Sequence, residues 1–285
     1  GTAAHKRNHH NCNDSVLTVN GGTYTLNTAM DSLIYSENAK TVINAGTFKL
    51  VNAASGAKII NTLGENQLQV VVNGGTYNAD LNSRELVGEV AIDKDRFACK
   101  DNGDGTWSVL PAVAYIAGGS VSYAMLEDAF KAVKAGDTIE ILDDVTVTEP
   151  WNCSEAGARF TVPVTINGNG KTITFTNVVD DGVTNMAALC FETDAVVRDL
   201  TIVMGETTTV YSLRSRMVST KSAISAKGNL MVENCAFVGS GDNANAIVYG
   251  DGTDGSEGVT VTISNSSFTG WDRGVTANGS DNEVG

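Results

Sequence analysis

The sequence predicts an all-β protein built from repeated strand-turn-strand units, that is, a β-solenoid. The first observation is composition: 30 Gly, only 3 Pro and 18 % charged residues favour short strands separated by turns. The second is an internal repeat, in which VNGGTY at Val19–Tyr24 recurs as INAGTF at Ile43–Phe48 and as VNGGTY at Val72–Tyr77. In a solenoid each repeat buries its hydrophobic face only against the next repeat. We therefore expect the three aromatic rings that end these segments to lie one above the other.

The chain of 285 residues divides into an arm and two modules. Residues 1–13 are polar without apolar periodicity and are predicted to be a disordered arm. Residues 14–110 form the smaller N-terminal β-repeat module, and residues 111–285 form a larger module that opens with a helix. The segment Asp101–Trp107 (DNGDGTW) is predicted to be a hairpin turn. It does not fit a calcium loop, because Gly103 and Gly105 stand where such a loop needs oxygen ligands.

The one predicted helix covers Tyr123–Ala135, with Ser122 as its N-cap and Gly136 after its end. Its apolar stripe includes Leu126, Phe130 and Val133. We expect this stripe to be buried against the open end of the first repeat of the larger module. A short helix in that place protects unpaired sheet edges.

Repeats resume after the helix in segments that alternate apolar and polar residues on either side of a polar turn. These segments are Val162–Phe175, Ala195–Val203, Leu230–Phe237 and Val259–Phe268. The last two align at a spacing of 31 residues, with Asn234 opposite Asn265 and Phe237 opposite Phe268. The pattern predicts parallel strands from about Asp137 onward, in three sheet faces.

The stretch from Ser122 to Phe175 resembles the start of the pectin lyase-like right-handed parallel β-helices. It contains an amphipathic helix, the segment Lys134–Ile139 (KAGDTI), a strand and then Val164–Gly168 (VTING). The segment Asp101–Leu142 also resembles a junction between modules in repeat-bearing surface proteins of gut bacteria. The resemblance implies a right-handed parallel β-helix with one short capping helix, and a place on a bacterial surface.

Charge and residue types exclude several classes of function. With 19 Lys and Arg against 33 Asp and Glu, the net charge of −14 disfavours nucleic acid and anionic membranes as partners. No apolar run is long enough to span a bilayer. All three histidines (His5, His9 and His10) lie in the arm, which argues against His-dependent nucleophiles and imidazole zinc sites. We therefore assign no metal site.

Five widely spaced cysteines lack any paired motif: Cys12, Cys99, Cys153, Cys190 and Cys235. Disulfide frameworks are typical of short, cysteine-dense chains. These cysteines are therefore interpreted mostly as small buried hydrophobes.

Enzymes with the resembled fold often cleave acidic polysaccharides with Asp and Arg residues. The candidates for such an activity are Asp180, Asp181, Asp194, Arg198 and Asp199. Neighbouring residues of a strand face apart, which separates Asp180 from Asp181 and Arg198 from Asp199. An acidic turn accounts for Asp180 and Asp181, and an exposed ion pair accounts for the other three. No catalytic residue is therefore assigned.

A better candidate binding site is the turn Gly270–Gly274 (GWDRG), which carries Trp271, Asp272 and Arg273. The indole could stack on a sugar while the acid and the guanidinium bind hydroxyls. A coil corner with a half-exposed Trp is the structural alternative.

The sequence thus predicts a non-catalytic bacterial cell-surface β-solenoid that serves adhesion, glycan binding or spacing. A polysaccharide lyase or glycosidase is the alternative. No cofactor is expected, and calcium is an option only under the lyase alternative. The expected partners are host or dietary glycans or host surface proteins. The expected location is extracellular or at the cell surface, after removal of an export signal that this chain does not contain.

Overall fold

The computed structural model describes residues 15–26, 32–37, 39–51, 56–63, 70–81, 92–93, 95–149, 151, 158–178, 187–205, 221–240, 244–250 and 258–277. The predicted arm lies outside these residues, as do Cys12, Cys153, Asp180 and Asp181. Strands dominate the described part of the chain, which contains one helix, so the all-β class is confirmed. The chain divides into a first unit, Gly1–Ala112 with Ser120–Ala124, and a second unit, Val113–Gly119 with Met125–Gly285.

The described elements of the first half of the chain are β1 (Val16–Leu26), β2 (Ser32–Glu37), β3 (Lys40–Leu50), β4 (Lys58–Leu63), β5 (Val70–Val72), β6 (Gly75–Tyr77), β7 (Phe97–Asp101), β8 (Trp107–Pro111), β9 (Ala114–Ile116), β10 (Ser122–Tyr123), α1 (Leu126–Ala132), β11 (Asp137–Ile141) and β12 (Val145–Val147). Those of the second half are β13 (Arg159–Phe160), β14 (Val164–Phe175), β15 (Ala187–Phe191), β16 (Ala195–Met204), β17 (Lys221–Ala226), β18 (Leu230–Glu233), β19 (Ala236–Val238), β20 (Ala244–Tyr249), β21 (Val261–Ser264), β22 (Ser267–Thr269) and β23 (Arg273–Ala277).

The first unit is a stack of parallel strands closed at one end by a hairpin. Strand β1 pairs with β3, and β3 pairs with β5 and β6, all in parallel. Strand β8 then pairs antiparallel with β6, and β7 pairs antiparallel with β8. The turn between β7 and β8 is the predicted hairpin turn. In it, Asn102 N donates to Thr106 O at 2.9 Å and Gly103 N donates to Asp101 Oδ1 at 2.8 Å.

The repeated aromatic residues of the first unit form a stack, as predicted. The ring centroids of Tyr24 and Phe48 are 5.1 Å apart, and those of Phe48 and Tyr77 are 5.0 Å apart. The repeated Asn residues also meet: Asn44 Nδ2 donates to Asn20 Oδ1 at 2.8 Å, and Asn73 Nδ2 donates to Asn44 Oδ1 at 3.0 Å. The repeat read from the sequence is therefore a repeat in space.

The helix is shorter than predicted. It begins at Leu126 and ends at Ala132, and its N-cap is Met125, which forms no side-chain cap hydrogen bond. Ser122 is instead part of β10 and is buried, because strand formation overrides the helical period there. At the other end, Val133 has an extended conformation with ψ 143° and begins the turn into β11.

The predicted burial of the helix stripe holds for two of its three residues. Leu126 and Phe130 are 3 % and 4 % exposed, whereas Val133 is half-buried. The ring of Phe130 packs edge-on against Phe160 at 5.0 Å and against Trp151 at 6.3 Å. Phe160 in turn stacks on Phe191 at 5.1 Å. The helix thus covers the end of a second aromatic stack.

The described strands of the second unit form three parallel ladders. The first joins β11, residues 164–167 of β14, residues 195–198 of β16, β18 and β21. The second joins β12, residues 171–175 of β14, residues 200–204 of β16, β19 and β22. The third joins β13, β15, β17, β20 and β23. Strand β9 pairs antiparallel with β11 and covers the outer edge of the first ladder.

A row of left-handed residues separates the first ladder from the second. We call these four residues the corner row: Asn169, Asp199, Asn234 and Asn265, with φ of 52°, 52°, 52° and 48°. Asn and Asp adopt this conformation more readily than other residues with a side chain. The predicted alignment of the last two repeats is confirmed, since β18 pairs with β21 and the rings of Phe237 and Phe268 stack at 5.2 Å.

The interpretation of the cysteines needs one correction. Cys190 is buried on β15 and is disulfide-bonded, whereas Cys99 and Cys235 are free. Spacing in the sequence could not reveal this, because the fold decides which distant cysteines come within bonding distance.

Candidate functional site

The predicted binding turn begins directly after β22, and its last two residues, Arg273 and Gly274, are the first two of β23. Gly270 has a φ of +72°, and the carbonyl oxygen of Gly239 is 2.4 Å from the position that a Cβ on Gly270 would occupy. Gly239 stands at the equivalent turn one repeat earlier, since Gly239 N donates to Thr269 O at 2.8 Å. Glycine at both positions lets the two turns stack closely.

The indole of Trp271 packs on Gly239. Its atoms Cδ2 and Cε2 are 2.7 Å and 2.9 Å from the position of the Cβ that Gly239 lacks. The side chain of Trp271 is half-buried, and its Nε1 is enclosed without a hydrogen-bond partner in the part of the chain that the structure describes. Asp272 and Arg273 beside it are exposed. The turn therefore presents an indole fixed against backbone, an acid and a guanidinium within three consecutive residues.

Two of the carboxylates proposed for an enzyme are engaged between repeats. Asp194 Oδ1 accepts a hydrogen bond from the backbone N of Asn229 at 2.9 Å. Asp199, in the corner row, accepts one from Asn234 Nδ2 at 3.1 Å. Both side chains thus link successive repeats of the second unit.

The expected ion pair of Arg198 with Asp194 or Asp199 is wrong. Arg198 pairs in register with Asn167 on one side and Glu233 on the other. Its Nε is enclosed and has no hydrogen-bond partner among the described residues. Asp199 is left-handed, so the chain turns a corner directly after Arg198. Ion pairs between repeats occur elsewhere, where Glu192 contacts Arg159 at 3.2 Å and Lys227 at 3.3 Å.

A shallow groove of about 350 Å³ follows the corner row, and sequence reasoning missed it. Its lining includes Asp199, Asn234 and Asn265 of the corner row, together with Thr201 and Ser267. The alignment of Asn234 with Asn265 already pointed to this row. The place of Asp199 in this row was not predicted, because Asp199 is an acid in a position otherwise held by Asn.

A second groove, of about 460 Å³, lies on the first unit. Its polar groups are hydroxyls at equivalent positions of successive strands, namely those of Thr23, Thr47, Thr76 and Ser108. Glycines of the repeated pattern, together with Ala45, Val109 and Leu110, complete its lining. Both grooves offer hydroxyl groups to a ligand, and the groove at the corner row adds carboxylate and amide groups.

The free thiols are poor nucleophiles at neutral pH. Burial raises the pKa of the Cys99 thiol to about 11, and burial also raises the pKa of the Cys235 thiol. Within the described ranges, no group of three or more His, Cys, Asp or Glu side chains could hold a metal ion. Likewise, no helix among the described elements is long and apolar enough to cross a membrane.

Comparison with known proteins identifies no relative: no family model, no curated protein and no solved structure matches the chain.

Proposed function

We propose that the second unit is a right-handed parallel β-helix, as the resemblance to pectin lyase-like proteins implies. The path of the chain supports this. After β14 it runs to β15 in the third ladder, returns to β16 beside β14, and then runs to β17 beside β15. Later strands repeat the same alternation. A parallel crossover of this kind is right-handed in about 98 % of proteins.

On this frame we propose a non-catalytic protein of a bacterial cell surface that binds neutral glycans. The observation that carries the proposal is the position of Trp271 on Gly239, next to exposed Asp272 and Arg273. An indole supported on one side by backbone loses little freedom when a sugar packs against it. The neighbouring carboxylate and guanidinium can accept and donate hydrogen bonds to sugar hydroxyls. Host or dietary glycans are the partners we expect, and glycans on host surface proteins fit the same chemistry.

The disulfide of Cys190 favours the proposed location. Disulfides persist in secreted and cell-surface proteins and are rare in the cytosol of most organisms. The net charge of −14 supports a neutral glycan over a polyanionic one, because like charges repel. It also disfavours nucleic acid as a partner.

A polysaccharide lyase or glycosidase gains less support. Asp194 and Asp199 hold neighbouring repeats together, so their removal would loosen the fold as well as any site. Arg198 lies in register between Asn167 and Glu233. In the described ladders, neither Asp194 nor Asp199 is a register partner of Arg198. Asp180 and Asp181 fall outside the described residues.

A glycan array on the purified chain, run with calcium and with a chelator, tests the proposal. We expect binding to neutral glycans that the chelator does not change. A parallel incubation with polygalacturonate should release no unsaturated uronides under either condition. Release of unsaturated uronides would overturn the proposal in favour of the lyase, and an array without any bound glycan would remove the glycan as the partner.

A further inference from the structure

Each unit has one end covered by elements that are not part of the repeat. In the first unit, β8 covers the last parallel strand, β6, by antiparallel pairing. In the second unit, β9 pairs antiparallel with β11, and Phe130 of α1 packs on the ring of Phe160. At these covered ends the terminal rings are buried, with Tyr77 at 0 % and Phe160 at 2 % exposure.

The other end of the first unit is uncovered among the described strands. Among the described strands β1 pairs only with β3, and its 11 residues contain no charge and no Pro. Natural edge strands usually carry such residues to prevent pairing with another chain. Val16 and Leu17 are 60 % and 47 % exposed. Tyr24 is 37 % exposed, whereas Phe48, the next ring of the same stack, is 0 % exposed.

Gly21 and Gly74 are equivalent glycines of two repeats, but the space beside them differs: a neighbouring repeat fills it at Gly74, and it is open at Gly21. A Cβ on Gly74 would lie 2.3 Å from the carbonyl oxygen of Asn44 in the preceding repeat. The equivalent position at Gly21 has no atom within 4 Å. The first repeat is therefore built like an inner repeat, with room for the backbone of a strand before it.

The opposite end of the second unit is uncovered in the same way. No described strand pairs with the outer edges of β21, β22 and β23. Val275 on β23 is 39 % exposed, whereas its register partner Ile247 is at 0 %. Phe268 is half-buried, whereas Phe237, on which it stacks, is at 0 %.

The two uncovered ends carry the same residue pattern. Ile263–Thr269 reads ISNSSFT, and Val19–Thr25 reads VNGGTYT. Each has a β-branched apolar residue, a polar or small stretch, a hydroxyl residue, an aromatic ring and a Thr. Their rings belong to stacks with nearly equal spacings of 5.2 Å and 5.1 Å.

We infer that a second copy of this chain docks with the uncovered end of its first unit on the uncovered end of the other copy's second unit. Its β1 adds in parallel beside β21 and β22, and its β2, which pairs only with β4 among the described strands, adds beside β23. Tyr24 of one copy then continues the stack that ends at Phe268, at the usual ring separation of about 5 Å. The docking joins two different surfaces, so it is head-to-tail and can continue from one copy to the next. This inference concerns the strand edges and does not depend on glycan binding.

Sedimentation velocity with two edge variants tests the inference. Leu17→Lys places a charge on the β1 edge, and Val275→Lys places one on the β23 edge. Both sites are partly exposed, so the fold tolerates the change. Met231→Lys is the matched control, because Met231 is 47 % exposed on an inner strand. Val16→Lys and Thr269→Lys serve as second variants if a thermal melt shows that a first variant is unfolded.

We expect the wild type and Met231→Lys to form progressively larger species between about 1 µM and 100 µM, as suits a weak interface. Leu17→Lys and Val275→Lys should each remain monomeric over that range. Their equimolar mixture should form dimers and nothing larger, because each retains one intact end and only one productive pairing exists. The inference is overturned if the wild type remains monomeric, if the mixture does, or if either edge variant dimerises alone.

Discussion

The ring of Phe48 stacks on the ring of Tyr77 with centroids 5.0 Å apart and planes 10° apart. The hydroxyl of Tyr77 also donates to the carbonyl oxygen of Gly74 at 2.8 Å, in the turn just before the ring. Stacking of rings and close approach of turns therefore occur together in the first unit. A side chain added at the turn should disturb both.

We expect Gly74→Ala to destabilise the first unit by about 1–3 kcal/mol, the usual range for an overpacked site. The added Cβ would lie 2.3 Å from the carbonyl oxygen of Asn44, which belongs to backbone and cannot move aside. Gly21→Ala is the matched control, because nothing lies within 4 Å of its Cβ position. Chemical denaturation measures both variants, and equal midpoints would contradict the close packing of successive turns.

Phe130→Ala should lower the free energy of unfolding of the second unit by about 3–5 kcal/mol, the usual cost of removing a buried Phe. The reason is that Phe130 covers Phe160 and Trp151 at the end of the aromatic stack. Met125→Ala, on an exposed side chain that precedes the helix, should change the melt little. A melt of Phe130→Ala that coincides with that of the wild type would show that α1 covers no core.

Stability should fall as the pH rises above about 9. Burial is the main cause that raises the pKa of the Cys99 thiol from 9.0 to about 11. In this pH range the unfolded chain has released the proton and the folded chain still holds it, so stability decreases with pH. Cys99→Ala should reduce this decrease without abolishing it, because burial also raises the pKa values of Tyr77 and Cys235. Urea unfolding from pH 7 to pH 10.5 measures the free energy of unfolding at each pH. If this free energy falls equally steeply with pH in the wild type and in Cys99→Ala, the prediction is contradicted.

The repeats could be predicted from the sequence because their signal is local and periodic. VNGGTY occurs at Val19–Tyr24 and at Val72–Tyr77, and each copy contains its own turn residues and its own ring. Parallel pairing then places like residues in register, as it does for Tyr24 and Phe48. The same reasoning aligned Asn234 with Asn265 correctly.

The ends of the helix could not be predicted, because tertiary pairing decides them. Ser122 is a favourable N-cap in sequence, but it lies in a strand and is buried. Val133 continues the helical period, yet the turn that begins β11 takes it out of the helix. There, Lys134 N donates to Asp137 Oδ2 at 2.8 Å.

The surroundings of the candidate site were also beyond the sequence pattern. Trp271, Asp272 and Arg273 were identified from their types, but the support of the indole by Gly239 comes from a turn one repeat away. Arg198 illustrates the converse: its nearest acid in sequence, Asp199, accepts a hydrogen bond from Asn234 of the next repeat instead. Contacts between repeats, rather than neighbours in sequence, determine both environments.

The most direct test of the proposed function is calorimetric titration of the Trp271→Ala variant with the neutral glycan that the wild type binds best. We expect the variant to lose at least about tenfold in affinity, because loss of a stacked indole costs more than about 1.4 kcal/mol. Trp107→Ala, which removes the half-buried Trp at the start of β8, is the matched control and should bind as the wild type does. Unchanged affinity of a folded Trp271→Ala variant would contradict the assignment of the glycan site to this turn.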